Sequence, residues 1–530
     1  MPPVRIRLHN IRVPFGAKEC RIRAAAAEKV GLAPEALGDM QIVRRSLDAR
    51  AAPRIFQIYS VEFSGDASLI EYPASGSAGV AAPTARQEPP SGREPLAGSP
   101  VIVGSGPAGL FAALGLAERG YAPLVVERGR PVDERSLDVA ALLAEGRVNP
   151  ESNLLFGEGG AGAFSDGKLT TRTSDPYVMD VLKTLVSCGA DPSILVDARP
   201  HIGSDRLPGV VAQLRRRIEA AGGRFRWGTK VERLVIDEEG CAAGVSVGAC
   251  ERLSAGAVVL AAGSWADDLV MALHEQGVKM EAKPFQAGVR IEHPQHVIDR
   301  AVYRWARGVL PAAEYITSVR PRGSRGVATF CMCPGGMIVP AVTCKGRLAI
   351  NGASPSGRNG EFANAALIVT IAPGECAPGA LGGLEFQRSL ERGAFAAAGC
   401  LRAPAQRASD FLAGARSNTL PETSYRPGVV SFRLETLIGR AISEALKAAL
   451  PLFEKKLPGF IGHGLLVAVE SRASSAVRIL RDRETNESVS TPRLYPAGEG
   501  AGYAGGIVSS AVDGIRTAGC IIRRFAEPRV

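Results

Sequence analysis

The run Pro100-Val-Ile-Val-Gly104-Ser105-Gly106-Pro107-Ala108-Gly109-Leu-Phe-Ala-Ala-Leu-Gly-Leu-Ala-Glu-Arg-Gly120, continued by Tyr-Ala-Pro-Leu-Val-Val-Glu127-Arg128, reads as strand, glycine turn, helix, strand and acid. Each glycine has its own task in such a unit. Gly104 permits the tight turn, Gly106 lets a pyrophosphate approach the backbone, and Gly109 lets the helix lie against the sheet. The helix N-terminus turns unpaired N–H groups and a partial positive charge towards phosphate. Glu127 stands 23 residues after Gly104, at the end of the second strand, where a carboxylate accepts hydrogen bonds from a ribose. The stretch is therefore read as the opening of a dinucleotide-binding unit.

Glycine spacing alone is weak support. With 61 glycines in 530 residues, chance placement supplies about one GxGxxG match. Two further matches occur, at Gly157/Gly159/Gly162 and at Gly500/Gly502/Gly505. The first is lifted by its context: an apolar strand before it, an Ala/Leu-rich helix after it, and the acid at the right distance.

A chain of this length holds about two to four domains. Its 46% hydrophobic and 22% charged residues, with a mean hydropathy of +0.06, describe a soluble globular protein. Apolar runs such as Leu465–Val469 are strand-sized and too short to span a membrane. The beginning, Met1-Pro-Pro-Val-Arg-Ile-Arg-Leu-His, lacks a secretory apolar region, so a cytoplasmic location is expected. Ten scattered cysteines include no CxxC pair, which argues for reduced thiols and against zinc, iron–sulfur or another metal site. The net charge of +10 favours anionic partners, but the basic residues are dispersed and only 5% of residues are aromatic. A solvated basic surface accounts for that charge better than a nucleic-acid interface.

The expected organisation has five parts. Residues 1–64 read as a βαββ module, and residues 65–98, rich in Ala, Pro, Ser, Gly and Glu, as a flexible linker. Residues 99–283 hold the first part of the dinucleotide domain. That part has a helical segment over Arg130–Leu155, a glycine-rich loop Gly157–Leu169, a helix Pro208–Ala221 and a strand Arg224–Ile236. It ends in the continuous apolar strand Ala257-Val-Val-Leu-Ala-Ala262-Gly263, as expected for a strand covered on both faces. Residues 284–465 suit an inserted α+β substrate domain, and residues 466–530 return to the first domain through a strand, a glycine loop and a helix. The fold class is α/β, with a discontinuous Rossmann-type domain.

Several runs carry a family resemblance: Gly157-Glu-Gly-Gly-Ala-Gly-Ala-Phe-Ser-Asp-Gly-Lys-Leu169, His201-Ile-Gly-Ser-Asp205, Gly288-Val-Arg-Ile-Glu-His-Pro294, Thr329-Phe-Cys-Met-Cys-Pro-Gly-Gly336 and Glu470-Ser-Arg-Ala-Ser-Ser475. With Val101–Arg128 and Leu494-Tyr-Pro-Ala-Gly498-Glu499, they make the chain resemble the bacterial FAD-dependent, NAD(FAD)-utilizing dehydrogenases. These are distantly similar to glutathione-reductase-type flavoproteins with two dinucleotide-binding domains. Ala473 and Ala476 stand where Thr and Pro are usual. The resemblance implies non-covalent FAD. The loop Gly104, Ser105, Gly106, Pro107, Ala108 and Gly109 would hold the pyrophosphate, and Glu127 and Arg128 the adenosine end. Gly159, Gly160, Ala161, Gly162, Ser165, Gly167 and Lys168 would line the pyrophosphate or isoalloxazine. Val231, Ala262 and Gly263 would also contact the cofactor. Gly498, Glu499, Gly505, Gly506 and Ile507 would lie beside the ribityl chain and flavin ring, with the dipole of the last helix aimed at the ring.

Candidate proton donors and acceptors are His201, Glu292, His293 and Glu470. Cys331 and Cys333 are a candidate redox or nucleophilic pair, although packing of small residues at a strand end accounts for them as well. Lys168, Arg290, Arg472 and Arg478 could anchor an anionic substrate, or be ion-paired structural groups. Tyr503 could stack on the flavin or simply pack.

Together these features imply an FAD-dependent oxidoreductase passing a hydride or two electrons between flavin N5 and a small, anionic or unsaturated substrate. NAD(P)H is a candidate transient reductant. The alternatives are a flavin monooxygenase and an RNA-associated flavoprotein using the basic N-terminal module. Steep salt dependence of binding would mark the latter. The oligomeric state is left open.

Overall fold

The computed structural model describes residues 4–65, 78–80, 89–171, 173–248, 250–305 and 307–527. At its centre lies a five-stranded sheet in the order Leu494–Pro496, Val258–Leu260, Val101–Val103, Leu124–Val126, Arg224–Arg226, all parallel. Because side chains alternate along a strand, each apolar run serves two faces. Ile102, Val125 and Val259 join the core beneath the helices Pro107–Ala117, Leu207–Ala220 and Ile507–Arg524. Val101, Val103, Val126, Val258 and Leu260 instead meet a three-stranded antiparallel sheet built from Val231–Ile236, Ala242–Val247 and Glu251–Ser254.

The expected strand Arg224–Ile236 is in fact two. Arg224–Arg226 closes the parallel sheet, the chain turns at Gly228 (φ 60°), and Val231–Ile236 begins the small sheet. The helix expected over Arg130–Leu155 spans only Val132–Glu145 and is stopped by Gly146 in the left-handed conformation.

The second large unit is an eight-stranded sheet. Its path runs Ser318–Val319, Val327–Ala341, Phe362–Ile371, Phe285–Pro294, Leu465–Glu470, Ala403–Arg407, Val429–Ser431, with Ala349–Ala353 paired to Val327–Ala341. Leu465–Glu470, buried along its whole length, is an interior strand of this sheet. Residues 466–470 thus belong to the inserted sheet, and the return to the parallel sheet comes after them. A short ladder between Met280–Ala282 and Val477–Ile479 binds the outgoing chain to the returning one.

At the N-terminus Val4–Pro14, Gln41–Asp48 and Phe56–Gly65 form a sheet over the helix Glu19–Val30. A fourth strand, Ala78–Val80, lies within the expected linker and pairs with Val4–Pro14. The rest of that linker up to residue 88 lies outside the described residues, whereas Gly92 and Glu94 bond to the backbone of Ile522 and Arg524. No helix among the described residues is long and apolar enough to cross a membrane.

Candidate active site

The three glycine clusters meet at one place. Gly104 has φ 101°, and a Cβ there would come within 2.5 Å of the Ala261 carbonyl oxygen. A Cβ on Gly109 would lie 1.9 Å from the Gly104 oxygen, so the strand–helix turn closes only with glycine. Gly159 N donates to Ser105 O at 2.9 Å, and a Cβ on Gly160 would meet Gly106 Cα at 3.1 Å. On its other side the second loop touches the last helix, where a Cβ on Gly162 would sit 3.2 Å from Ile507 Cγ1. Gly160, Ala161, Gly505 and Gly506 remain accessible. Two helix N-termini, at Gly106 and Gly506, therefore meet at a glycine-rich cradle bordered by the side chains of Pro107 and Ile507. This donor set fits a dinucleotide pyrophosphate and the flavin attached to it.

Glu127 is buried and saturated: it accepts from Ser105 N and Oγ (both 2.8 Å), Gly129 N (2.9 Å) and Gly157 N (3.0 Å). A carboxylate has about four acceptor sites, so Glu127 ties the first glycine loop to the second. A ribose contact would have to displace one of these donors. Arg128 is held by Glu151 (2.6 Å) and Asp268 (3.0 Å) and covers the Phe156 ring. Val231 is buried in the small-sheet core, near the Glu127 end through Thr229 N donating to Glu127 O. The second loop has a support that its glycines did not reveal. Fully buried Arg135 donates to the carbonyls of Asn153, Gly157 and Glu158, and burial lowers its pKa to about 10. Glu158 accepts from Val132 N and from Arg215.

In the third loop, Glu499 accepts from Ser264 Oγ (3.2 Å) and Gly506 N (3.1 Å), joining the end of the Val258–Leu260 segment to the last helix. Asp513, on that helix, accepts from Gly498 N at 2.7 Å and pairs with Arg481 at 2.6 Å. Tyr503 lies under the Arg481 guanidinium, 3.8 Å from it, so Arg481 rather than a flavin ring occupies that face.

The second loop leads directly into a buried polar cluster. Lys168 donates to Asp166 (2.7 Å), which also receives Arg358 (2.9 Å). Within the large sheet, fully buried Arg290 donates to Asn364 (2.9 Å), Asn351 (3.2 Å), Glu470 (3.1 Å) and the Cys331 carbonyl (2.7 Å). The strand carrying Cys331 is irregular there, with Cys331 at φ 43°. Burial raises the Glu470 pKa to about 7 despite Arg290. The Cys331 thiol is pulled down by the hydrogen bond from Cys333 and by the charges of Lys168 and Arg290. Cys333 is pushed up by that same bond and by burial. Asp166 Oδ1, Tyr315 Oη, Asn364 Nδ2 and Arg358 Nε are buried without partners. Native interiors rarely leave such atoms unmatched except where something polar binds.

Of the candidates named from sequence, Lys168, Arg290, Cys331, Cys333 and Glu470 are thus together, and Lys168 faces this cluster rather than the pyrophosphate cradle. His201 borders it: its backbone pairs with Lys168 and its Nε2 meets Ser356 O at 3.2 Å, while burial lowers its pKa. With Asp205 accepting from Ser356 N (2.6 Å) and Oγ (2.7 Å), the run His201–Asp205 fastens the inserted domain to the second loop. His293 lies apart, fully buried against Phe460 with Nε2 on its carbonyl (2.8 Å), and burial holds its pKa near 4. Glu292 is taken up by Thr423 and Ser424. Arg472 is locked between Asp267 and Glu391, and Arg478 pairs with Glu281. Asn364 and Arg358 were missed because their spacing carries no pattern: sheet register brings in Asn364 and a turn brings Arg358 to Asp166, which stands in the second loop two residues before Lys168.

Family models match at four places: an FAD-binding domain over residues 99–143, an FAD-dependent oxidoreductase over 207–358, the C-terminal domain of FAD-dependent proteins over 284–473, and a domain of unknown function over 5–64. An uncharacterised protein of Clostridium beijerinckii is 38% identical across 99% of this chain and all of its own length. Among solved structures, glycine oxidase of Bacillus cereus is 10% identical over 80% of this chain and 96% of its own, with a TM-score of 0.34. Glycine oxidase of Geobacillus kaustophilus is 13% identical over 80% and 92%, with a TM-score of 0.31. At such identities these likenesses say nothing of substrate. The matched models and the cradle of glycines agree, and the chain, matched along its whole length by its relative, belongs to the family of FAD-dependent oxidoreductases, with FAD as its cofactor.

Proposed function

We propose that the protein passes two electrons between FAD on the three glycine loops and a small anionic substrate held at the Lys168–Arg290–Glu470 cluster. One observation carries this: the loop that forms part of the cofactor cradle continues, within a few residues, into Lys168 and a buried group of cations, thiols and unmatched polar atoms. When bound, FAD supplies a two-electron acceptor at N5. The chain's own groups do the rest. Backbone N–H groups at Gly106 and in the first turn of the helix Ile507–Arg524 would hold the cofactor's anionic portions, and Glu499, with Ser264 and Gly506 N, fixes the loop beside them. Lys168, with Arg290 behind it, holds the substrate's negative charge. Glu470, titrating near neutrality, holds or accepts the proton that accompanies the electron pair. The surrounding sheet excludes water, which strengthens each of these interactions.

The finer assignment to the glutathione-reductase type rests on the same strand–turn–helix and on Gly498–Glu499. Among the described residues there is one parallel dinucleotide sheet, not two, so NADH or NADPH enters this scheme as a transient reductant. Anaerobic reduction by NADH and NADPH, followed by reoxidation with a panel of small carboxylates and unsaturated acids, tests the reading. Lys168→Ala is expected to raise KM at least about tenfold, the loss of one charge-assisted contact, with FAD content unchanged. Full turnover at unchanged KM in this variant would exclude the cluster as the substrate site.

A further inference from the structure

A second polar site lies on the other side of the third glycine loop. A cavity of about 820 Å³ is lined by Arg478, Arg481, Arg483, Arg516 and Arg523 together with Tyr503. Three of these cations have partners: Arg481 with Asp513 (2.6 Å), Arg478 with Glu281 (3.2 Å) and Arg516 with Asp175. Arg483 and Arg523 form no ion pair among the described residues, although Arg523 touches Cys520 Sγ (3.0 Å). Arg478 also keeps a buried Nε without an acceptor. Glu281 and Glu484 are the acids of the lining. Guanidinium forks left unmatched around a concavity suit the several oxygens of a phosphate group, to which they donate bidentately. The cavity floor is also mechanically tied to the cofactor loop. Asp513 holds both Arg481 and Gly498 N, and a Cβ on Gly502 would meet the Val477 oxygen at 2.7 Å.

We propose that this cavity is a binding site for a small molecule bearing two or more linked phosphates, and that its occupancy is sensed at the flavin loop through Arg481, Asp513 and Gly498. The ligand is either a nucleotide reductant or a separate effector; both present the same diphosphate. The test uses the holoprotein at low salt, titrated with pyrophosphate, ADP and NADPH by calorimetry while flavin absorbance is followed. Saturable binding of about one pyrophosphate per chain, with a shift in the flavin band, is expected. Arg483→Ala/Arg523→Ala should weaken it at least about tenfold, as for loss of charge-assisted contacts. Arg320→Ala/Arg322→Ala, a remote exposed pair, should leave it unchanged. ADP binding without flavin reduction would mark an effector, and NADPH binding with reduction the reductant. No pyrophosphate binding, or equal weakening in both double variants, overturns the proposal. Calorimetric binding does not depend on turnover, so this result stands apart from any failure of the catalytic reading.

Discussion

At the scale of single residues, the site is governed by what burial does to charge. Glu470 sits near pH 7 because desolvation outweighs Arg290, with Lys168 and Cys331 close by. A carboxyl whose folded pKa is raised stabilises the fold below its unfolded value of about 4.3 and loses that contribution as pH rises through about 7. Wild-type Tm should therefore fall, relative to Glu470→Gln, between about pH 4 and pH 7. The variant's kcat should also lack the inflection near neutrality; parallel Tm curves and an unchanged pH profile would contradict this. Steric demands are as sharp. Gly109→Ala places a methyl 1.9 Å from the Gly104 oxygen, and should cost about 3 kcal/mol or more, read as lost FAD binding and lowered Tm. Gly104, Gly109 and the acid position were legible because a short motif states their chemistry. That Glu127 already serves four donors was not, since those donors come from loops that only the fold brings together.

Elements meet here where side chains are absent. The helices Pro107–Ala117 and Ile507–Arg524 touch so closely that a Cβ on Gly514 would lie 2.1 Å from the Ala108 oxygen. This contact sets the two N-termini side by side over the cradle. The part-buried Arg481–Asp513 pair fixes the second helix to its loop. Asp513→Ala leaves Gly498 N unmatched and Arg481 with only the Pro496 carbonyl, and should cost about 1–3 kcal/mol, with weakened FAD retention measurable by flavin release on dilution. Element existence was largely visible from apolar runs and glycine punctuation. The break of Arg224–Ile236 into two strands was not, because Trp227–Lys230 has no stronger turn signal than Gly228. The interior placement of Leu465–Glu470 also escaped, since a continuous apolar run fits either sheet.

For the whole molecule, the joint between the domains centres on Asp267, at the start of the helix Asp267–Glu275. It receives Arg472 from the chain leaving the large sheet and Arg347 from within the inserted domain, while Glu391 completes the group. Asp267→Ala leaves Glu391 alone to match Arg472 and Arg347, and should destabilise by about 1–3 kcal/mol and let proteolysis separate the domains. The discontinuous α/β plan was readable from the order of motifs, whereas this joint was not, because Asp267, Arg347 and Glu391 carry no motif. All of it serves one claim, that three glycine loops close on FAD. The absorbance spectrum of the purified protein tests that claim most directly. A flavin band at one FAD per chain, released intact by denaturation, is the expected result. A colourless protein that takes up no FAD on reconstitution would contradict it.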